Sequence, residues 1–401
     1  MNRRRRLAGF ATFTMRRTCR AVGSHLRWIA FATAVVTGAS VLALPLASAP
    51  AEGATSCTGV QLAPGANLQN AINSNGTNTT FCLTDGGYST TAPITPRDGD
   101  RFIGVYTDAT QPNIANTGTG GVFSGGRNNL YQDLDIGPSR GTGVNPGSGS
   151  TIIGTHIHHN QMCGIETAAN SLTITGNEIG PSNGTLANKG DACGIKLHGL
   201  SGSDSGAYNS VTNNSIHDNM GHALWVDCDG HDNTFSGNSV YNNAGAALDD
   251  ETSYNDSFTN NIVHDNGFGW SNYAVNILDS MGTNVSGNTL THNYRGVNVW
   301  ADKRATLNAP RSGLGCANIS LTSYHPSGIA ITNNTFPSPQ RSGFASTGMV
   351  PLSAVNLDNN CWTVAALSDT NWRIPTDSTA TWSQWQAAGK DRHGWAQTGA
   401  C

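Results

Sequence analysis

Apolar residues return in three columns along this chain of 401 residues, separated by short polar stretches. Ile152, Ile174, Val211, Phe235, Phe258 and Val285 form the first column. Five residues later Ile157, Ile179, Ile216, Val240, Val263 and Leu290 form the second, and Ile165, Ile195, Leu224, Leu248, Val275 and Val297 open the third. Short pieces rich in β-branched residues and bounded by Asn, Gly and Asp are strands and turns, and no stretch sustains the helical period of about 3.6. The equivalent asparagines Asn214, Asn238, Asn261 and Asn288 recur at intervals of 24, 23 and 27 residues. A period of this size marks a stacked repeat in which each unit buries its apolar positions against its neighbours.

The predicted fold is therefore all-β, a right-handed parallel β-helix (solenoid); its hand follows from the general rule for parallel crossovers. The turn asparagines Asn160, Asn219, Asn243, Asn266 and Asn293 are expected to stack as an amide ladder with rungs about 4.8 Å apart. His158, His217, Tyr241 and His264 recur as regularly and are read as a ladder of rings. Leu68 and Ile72 sit at helical spacing and would cover the open N-terminal end, where strand edges and core would otherwise be bare. The expected organisation is a signal peptide over residues 1–51, an N-terminal helical cap over 52–104, coils over 105–340 and a C-terminal cap over 341–401. Trp372, Trp382, Trp385 and Trp395 are read as part of that last cap.

These motifs carry a resemblance. Leu68-Gln-Asn-Ala-Ile72, Thr80-Phe-Cys-Leu83, Gly99-Asp-Arg-Phe-Ile-Gly104, the Asn-rich coils, Ala223-Leu-Trp-Val-Asp227, Ala247-Leu-Asp-Asp-Glu-Thr-Ser-Tyr254 and Trp382-Ser-Gln-Trp-Gln386 make the chain resemble secreted right-handed parallel β-helix repeat proteins of the pectate-lyase-like superfamily. The resemblance covers roughly residues 57–395 and implies the fold far more than a reaction. Asp229-Gly-His-Asp232 is not the polygalacturonase motif, no arginine lies between Arg140 and Arg295 to serve as a pectate-lyase base, and the Asp-Pro-His-Asp run of mannuronan epimerases is missing.

Composition narrows the class of ligand. The first 51 residues hold eight arginines, no acidic residue and an apolar run from Trp28 to Leu46, ending at Ala49-Pro50-Ala51. This reads as a secretory leader, with an uncleaved anchor as the alternative and the twin-arginine route left open. Of 22 basic residues 14 remain beyond it, against 26 acidic ones, a net charge of about −12. Such a chain lacks the basic footprint that nucleic acid demands. A secreted, extracellular monomer that binds a polysaccharide and has no membrane contact after cleavage is expected. Nine cysteines include Cys19 in the leader, and the remaining eight suit an oxidising compartment. Stacking pairs Cys163 with Cys193; Cys57 with Cys82 and Cys361 with Cys401 are local choices, leaving Cys228 with Cys316.

Candidate chemistry lies on the outer face of the third strand. Alternation along that strand gives two outward rows: Glu166, Lys196, Trp225, Asp249, Asn276, Asn298, and Ala168, His198, Asp227, Glu251, Leu278, Trp300. Asp227, Glu251, His198, Asp249 and Lys196 are the candidate catalytic residues. Trp225, Trp300, Asn276 and Asn298 are candidate substrate contacts. Asp227 and Glu251 on adjacent rungs would stand about 5 Å apart, the separation of a retaining glycosidase pair. The same acids with Asp229 would suit Ca2+, the one cofactor considered. Insertions between Ile179 and Ile195, at Gly199–Ala207, around Phe268-Gly-Trp270 and from Lys303 to Pro326 would wall a groove above the strand. The expected activity is that of a polysaccharide lyase or glycoside hydrolase; the alternative is a non-catalytic glycan-binding or cell-surface β-helix.

Overall fold

A computed structural model describes residues 56–106, 110–182, 184, 192–199, 205–301, 326–338, 345–347, 350–368, 370, 372–374 and 378–401. The expected leader, Cys316 and most of the insertions at 180–191, 199–204 and 303–325 lie outside these residues. Among the described residues the chain winds into two sheets of twelve strands and one of eleven. Each coil contributes one strand to each sheet in turn, and neighbouring strands pair in parallel, except for Trp372–Ile374 with Ser378–Ala380, which is antiparallel.

The three sequence columns are the three inner rows of this solenoid. Ile152, Ile174, Val211, Phe235, Phe258 and Val285 are in register in the first sheet. Ile157, Ile179, Ile216, Val240, Val263 and Leu290 are in register in the second. Tyr131, Ile136 and Val144 extend all three rows into the early coils. The first sheet begins earlier still, at Val60–Leu62, so the segment ahead of residue 105 carries strands as well as its cap. Each of these apolar side chains is essentially inaccessible, and each contributes roughly 1.5–3 kcal/mol through burial.

Asparagine ladders run at the corners between the sheets. Asn214 donates Nδ2 to Asn238 Oδ1 at 3.0 Å and to Ile174 O at 3.0 Å, while Asn238 Oδ1 also accepts the Asn214 backbone N–H at 3.0 Å. The pattern continues through Asn261, Asn288, Asn334 and Asn360. Of the predicted ladder, Asn219, Asn243, Asn266 and Asn293 repeat it at the next corner, while Asn160 stands apart, accepting from Ser139 Oγ and donating to Ile136 O. A buried amide costs free energy unless its donors and acceptor are met, and here they are. The residue ahead of several ladder positions, Asn213, Asp218, Asn242, Asn260 or Asp265, adopts φ of 55–57°, the left-handed turn that Asn and Asp tolerate.

The ring ladder is shorter than expected. His217, Tyr241 and His264 stack with centroids 4.8 and 5.1 Å apart. His158 does not join, because the register set by His156–Glu178 and Ile157–Ile179 puts Gly180 on the next rung. It stacks instead on His156 of its own strand, 4.4 Å between centroids.

Both ends are closed. The helix Leu68–Asn73, capped by Asn67, buries Leu68 and Ile72. At the other end the helix Trp382–Ala387 begins with a Thr381–Gln384 capping box and buries Trp382 and Trp385. Asp391 ends one asparagine ladder at Asn360 and accepts the indole N–H groups of Trp362 and Trp385, each at 3.1 Å. Trp395 leaves that cluster and is exposed. The disulfides are Cys57–Cys82, Cys163–Cys193 and Cys361–Cys401, as stacking and locality suggested. Cys228 is also disulfide-bonded.

Candidate active site on the third sheet

Four consecutive strands, Ile195–His198, Leu224–Asp227, Leu248–Glu251 and Val275–Leu278, carry most of the candidate residues. Their register aligns Lys196, Trp225, Asp249 and Asn276 in one outward row, followed by Asn298. His198 pairs with Asp227, and Leu278 with Trp300, in the second row. The structure nevertheless divides this set into two neighbouring groups.

In the first group Lys196 Nζ lies 3.1 Å from Asp227 Oδ2 and 3.4 Å from the centre of the Trp225 ring. Thr252 donates its hydroxyl to the other Asp227 oxygen at 3.1 Å. Asp227 is thus held by a cation and a hydroxyl, with little surface left to solvent. His198 lies 4.0 Å from Glu166, which accepts from Thr142 at 3.1 Å. Burial and then the Lys196 ammonium lower the His198 pKa below the usual imidazole range, so its ring is neutral at pH 7. Asp227, Asp229 and Glu251 do not bring three donor atoms within 4.8 Å of one another, and Lys196 already supplies the positive charge that Ca2+ would bring to Asp227.

The second group lines a cleft of about 540 Å³ bounded by His222, Asp249, Glu251, Trp270, Ser271, Asn272, Tyr273, Asn276, Leu278, Arg295, Asn298, Trp300 and Arg373. Its floor is a hydrogen-bonded row: Asn298 Nδ2 donates to Asn276 Oδ1 at 2.9 Å, and Asn276 Nδ2 to Asp249 Oδ1 at 2.7 Å. The remaining oxygen, Asp249 Oδ2, is 3.0 Å from His222 Nδ1. His222 is fully buried between Trp225 and Trp270, with ring centroids 5.0 and 4.6 Å away. Burial brings its pKa down to about 4, so the imidazole is neutral at pH 7. Nδ1 also accepts the Ala246 backbone N–H at 3.1 Å, which makes it an acceptor. With the imidazole neutral, the contact with Asp249 is not an ion pair.

Trp270, Ser271, Asn272 and Tyr273 come from the described insertion and form one wall, its position fixed by Trp270 Nε1 donating to Met220 O at 3.1 Å. Arg295 donates to Tyr273 Oη at 3.0 Å, with its guanidinium 5.4 Å from that ring. Trp300 stands at the rim, 37% exposed. His222, Trp270, Tyr273, Arg295 and Arg373 escaped the sequence reading because they belong to turns and to a distant coil, where no column marks them. The Phe268-Gly-Trp270 insertion was the one available signal.

Beneath the cleft lies a residue that strand alternation sends inward. Asp250 occupies the inner row between Val226 and Ile277. It accepts hydrogen bonds from Ser253 and Thr283 and pairs with Asp256, which takes the ladder position after Asn233. Burial raises the Asp250 pKa to about 6 and that of Asp256 well above the carboxylate range. One proton shared between them leaves a single charge in the core.

Over residues 193–309 the chain matches the family model described as the right handed beta helix region. That match and the three-sheet parallel ladder make the fold a right-handed parallel β-helix. No curated protein matches it. Solved structures similar to it include the Dettilon tailspike protein, 13% identical with a TM-score of 0.45, covering 77% of this chain and 65% of that one. The A-module of an Azotobacter vinelandii mannuronan C-5 epimerase is 14% identical, TM-score 0.44, over 84% of this chain and 96% of that one. PfbA, a surface adhesin of Streptococcus pneumoniae, is 10% identical, TM-score 0.45, over 76% and 84%.

Proposed function

We propose that this is a secreted polysaccharide-active protein, and that its cleft hydrolyses a glycosidic bond with Asp249 and Glu251 as the working pair. The observation that carries the proposal is the placement of these two carboxylates in one cleft with indole, phenol and guanidinium groups. Asp249 and Glu251 are two residues apart on one strand, so their Cα atoms stand about 6.6 Å apart on the same face. That spacing is close to the carboxyl separation of roughly 6.5–9.5 Å that leaves room for water in an inverting glycosidase.

Asp249 takes the role of acid. His222 is neutral, with Nδ1 turned to the Ala246 N–H, so it does not hold the neighbouring Asp249 carboxyl ionised as an imidazolium would. Glu251, less buried, takes the role of base and draws a proton from the attacking water as the glycosidic oxygen takes the Asp249 proton. Trp270, Tyr273 and Trp300 offer apolar faces to sugar rings, and the row Asn298–Asn276 offers amides to hydroxyls. Lys196, held by Asp227, lies over Trp225, which packs on His222, and both charged groups stand outside the reacting pair.

The test is hydrolysis of a panel of plant, algal and bacterial polysaccharides by the purified protein, following reducing ends and the ultraviolet absorbance of unsaturated uronates. The expected result is new reducing ends without unsaturation, with inverted anomeric configuration by NMR. Glu251→Gln and Asp249→Asn should each lower the rate by at least about a hundredfold. Unsaturated product would replace the hydrolase reading with a lyase. Glycan binding without any product, unchanged in both variants, would make the chain a binding scaffold.

A further inference from the structure

We propose that Asp135, His156 and His158, on the second sheet, form a binding site for a first-row divalent transition metal, Zn2+ foremost. Asp135–Ile136 and His156–Ile157 are paired strands of adjacent coils, with Asp135 and His156 in direct register. His158 lies two residues beyond His156, on the same outward face. One oxygen, Asp135 Oδ1, lies 3.3 Å from His156 Nδ1 and also contacts His158 Nε2. One donor atom from each of the three residues lies within 4.8 Å of the others. Zinc held at about 2.0–2.2 Å by two imidazoles and a carboxylate needs donor separations of about 3.4 Å, within reach of small side-chain rotations.

The surroundings match such a site. Asn113 Nδ2 donates to the second Asp135 oxygen at 3.1 Å, fixing the carboxylate. His158 Nδ1 is 2.6 Å from His159 Nδ1, so with Nε2 turned to a metal, Nδ1–H has an acceptor that sets the tautomer. Gly180 on the next rung is why His158 turns toward Asp135 rather than entering the ring ladder. All three residues are half-buried, leaving the outer side open for water as a fourth ligand. Two nitrogens and one oxygen favour Zn2+, Cu2+ or Ni2+ over Ca2+, which takes six to eight oxygens. Bound there, the ion ties one coil to the next on a sheet that carries none of the cleft residues.

The experiment uses the untagged mature chain, freed of metal with a chelator and titrated calorimetrically with Zn2+ and, separately, Ca2+. One equivalent of Zn2+ should bind, raise the melting temperature and be insensitive to Ca2+. Co2+ in its place should give the intense visible bands of a tetrahedral site. Asp135→Asn and His158→Ala should abolish binding, and His159→Ala should weaken it about tenfold to a hundredfold. His393→Ala, at an exposed His–Asp pair, should leave it unchanged. Failure of the wild-type chain to bind, or binding retained in folded His158→Ala, overturns the site. Should that variant not fold, carbethoxylation of the wild-type histidines mapped by mass spectrometry decides: Zn2+ must protect His156 and His158, and equal modification with and without it overturns the proposal.

Discussion

Lys196 Nζ lies 3.1 Å from Asp227 Oδ2 and over the face of Trp225, so one cation binds two side chains of the neighbouring coil. Both charged side chains are largely buried. Lys196→Met should therefore strand the Asp227 carboxylate and cost about 3 kcal/mol, read as a lower urea midpoint with an unchanged slope. A double variant with Asp227→Leu should recover most of that loss. A Lys196→Met protein of unchanged stability but without activity would instead make the ammonium a catalytic group.

The ladder asparagines should be among the least replaceable residues on the chain. Asn238 donates to Val211 O and Asn261 Oδ1 and accepts from the Asn214 backbone and side chain. Asn238→Ala leaves several buried partners unmet, so a loss of at least about 3 kcal/mol is expected. Thr234→Ala, at an exposed position of an extended strand on the first sheet, should move the midpoint little. Equal effects at the two positions would remove the ladder as a source of stability.

The buried Asp250–Asp256 pair should make the fold less stable as pH rises. Both carboxyls have folded pKa values above their unfolded ones, so the native state holds extra protons. Their contribution is fully present below about pH 4, the unfolded carboxylate range, and declines as pH rises through the Asp250 value of about 6. Asp256→Asn extends the amide ladder and should flatten this slope, adding on the order of 1 kcal/mol at neutral pH. Melting curves from pH 4 to 8 check both statements; a variant with the wild-type slope would contradict them.

Trp300 should act on binding and not on the chemical step. It stands at the rim of the cleft, two strands beyond the carboxylates. Trp300→Ala is expected to raise KM about tenfold, equivalent to about 1.4 kcal/mol, with kcat nearly unchanged. A fall in kcat at constant KM would place the ring at the reacting sugar.

The sequence by itself determined the solenoid. A coil repeats its environment at every rung, so Val211, Ile216 and Leu224 mark their rows as clearly as Phe235, Val240 and Leu248 do, and the asparagine ladders and the Cys163–Cys193 disulfide follow from the same register. Alternation also placed Asp249, Asn276 and Asn298 on one outer row. Only the tertiary structure decided which of those polar residues share a cleft. Asp227 is turned to Lys196, a contact between side chains that register alone does not specify. His222, Trp270, Tyr273, Arg295 and Arg373 come from turns and from a distant coil, where the chain has no period to betray them. Repetition encodes the backbone because every rung meets the same neighbours; a site is where rungs differ, and those differences acquire meaning only when the coils are stacked.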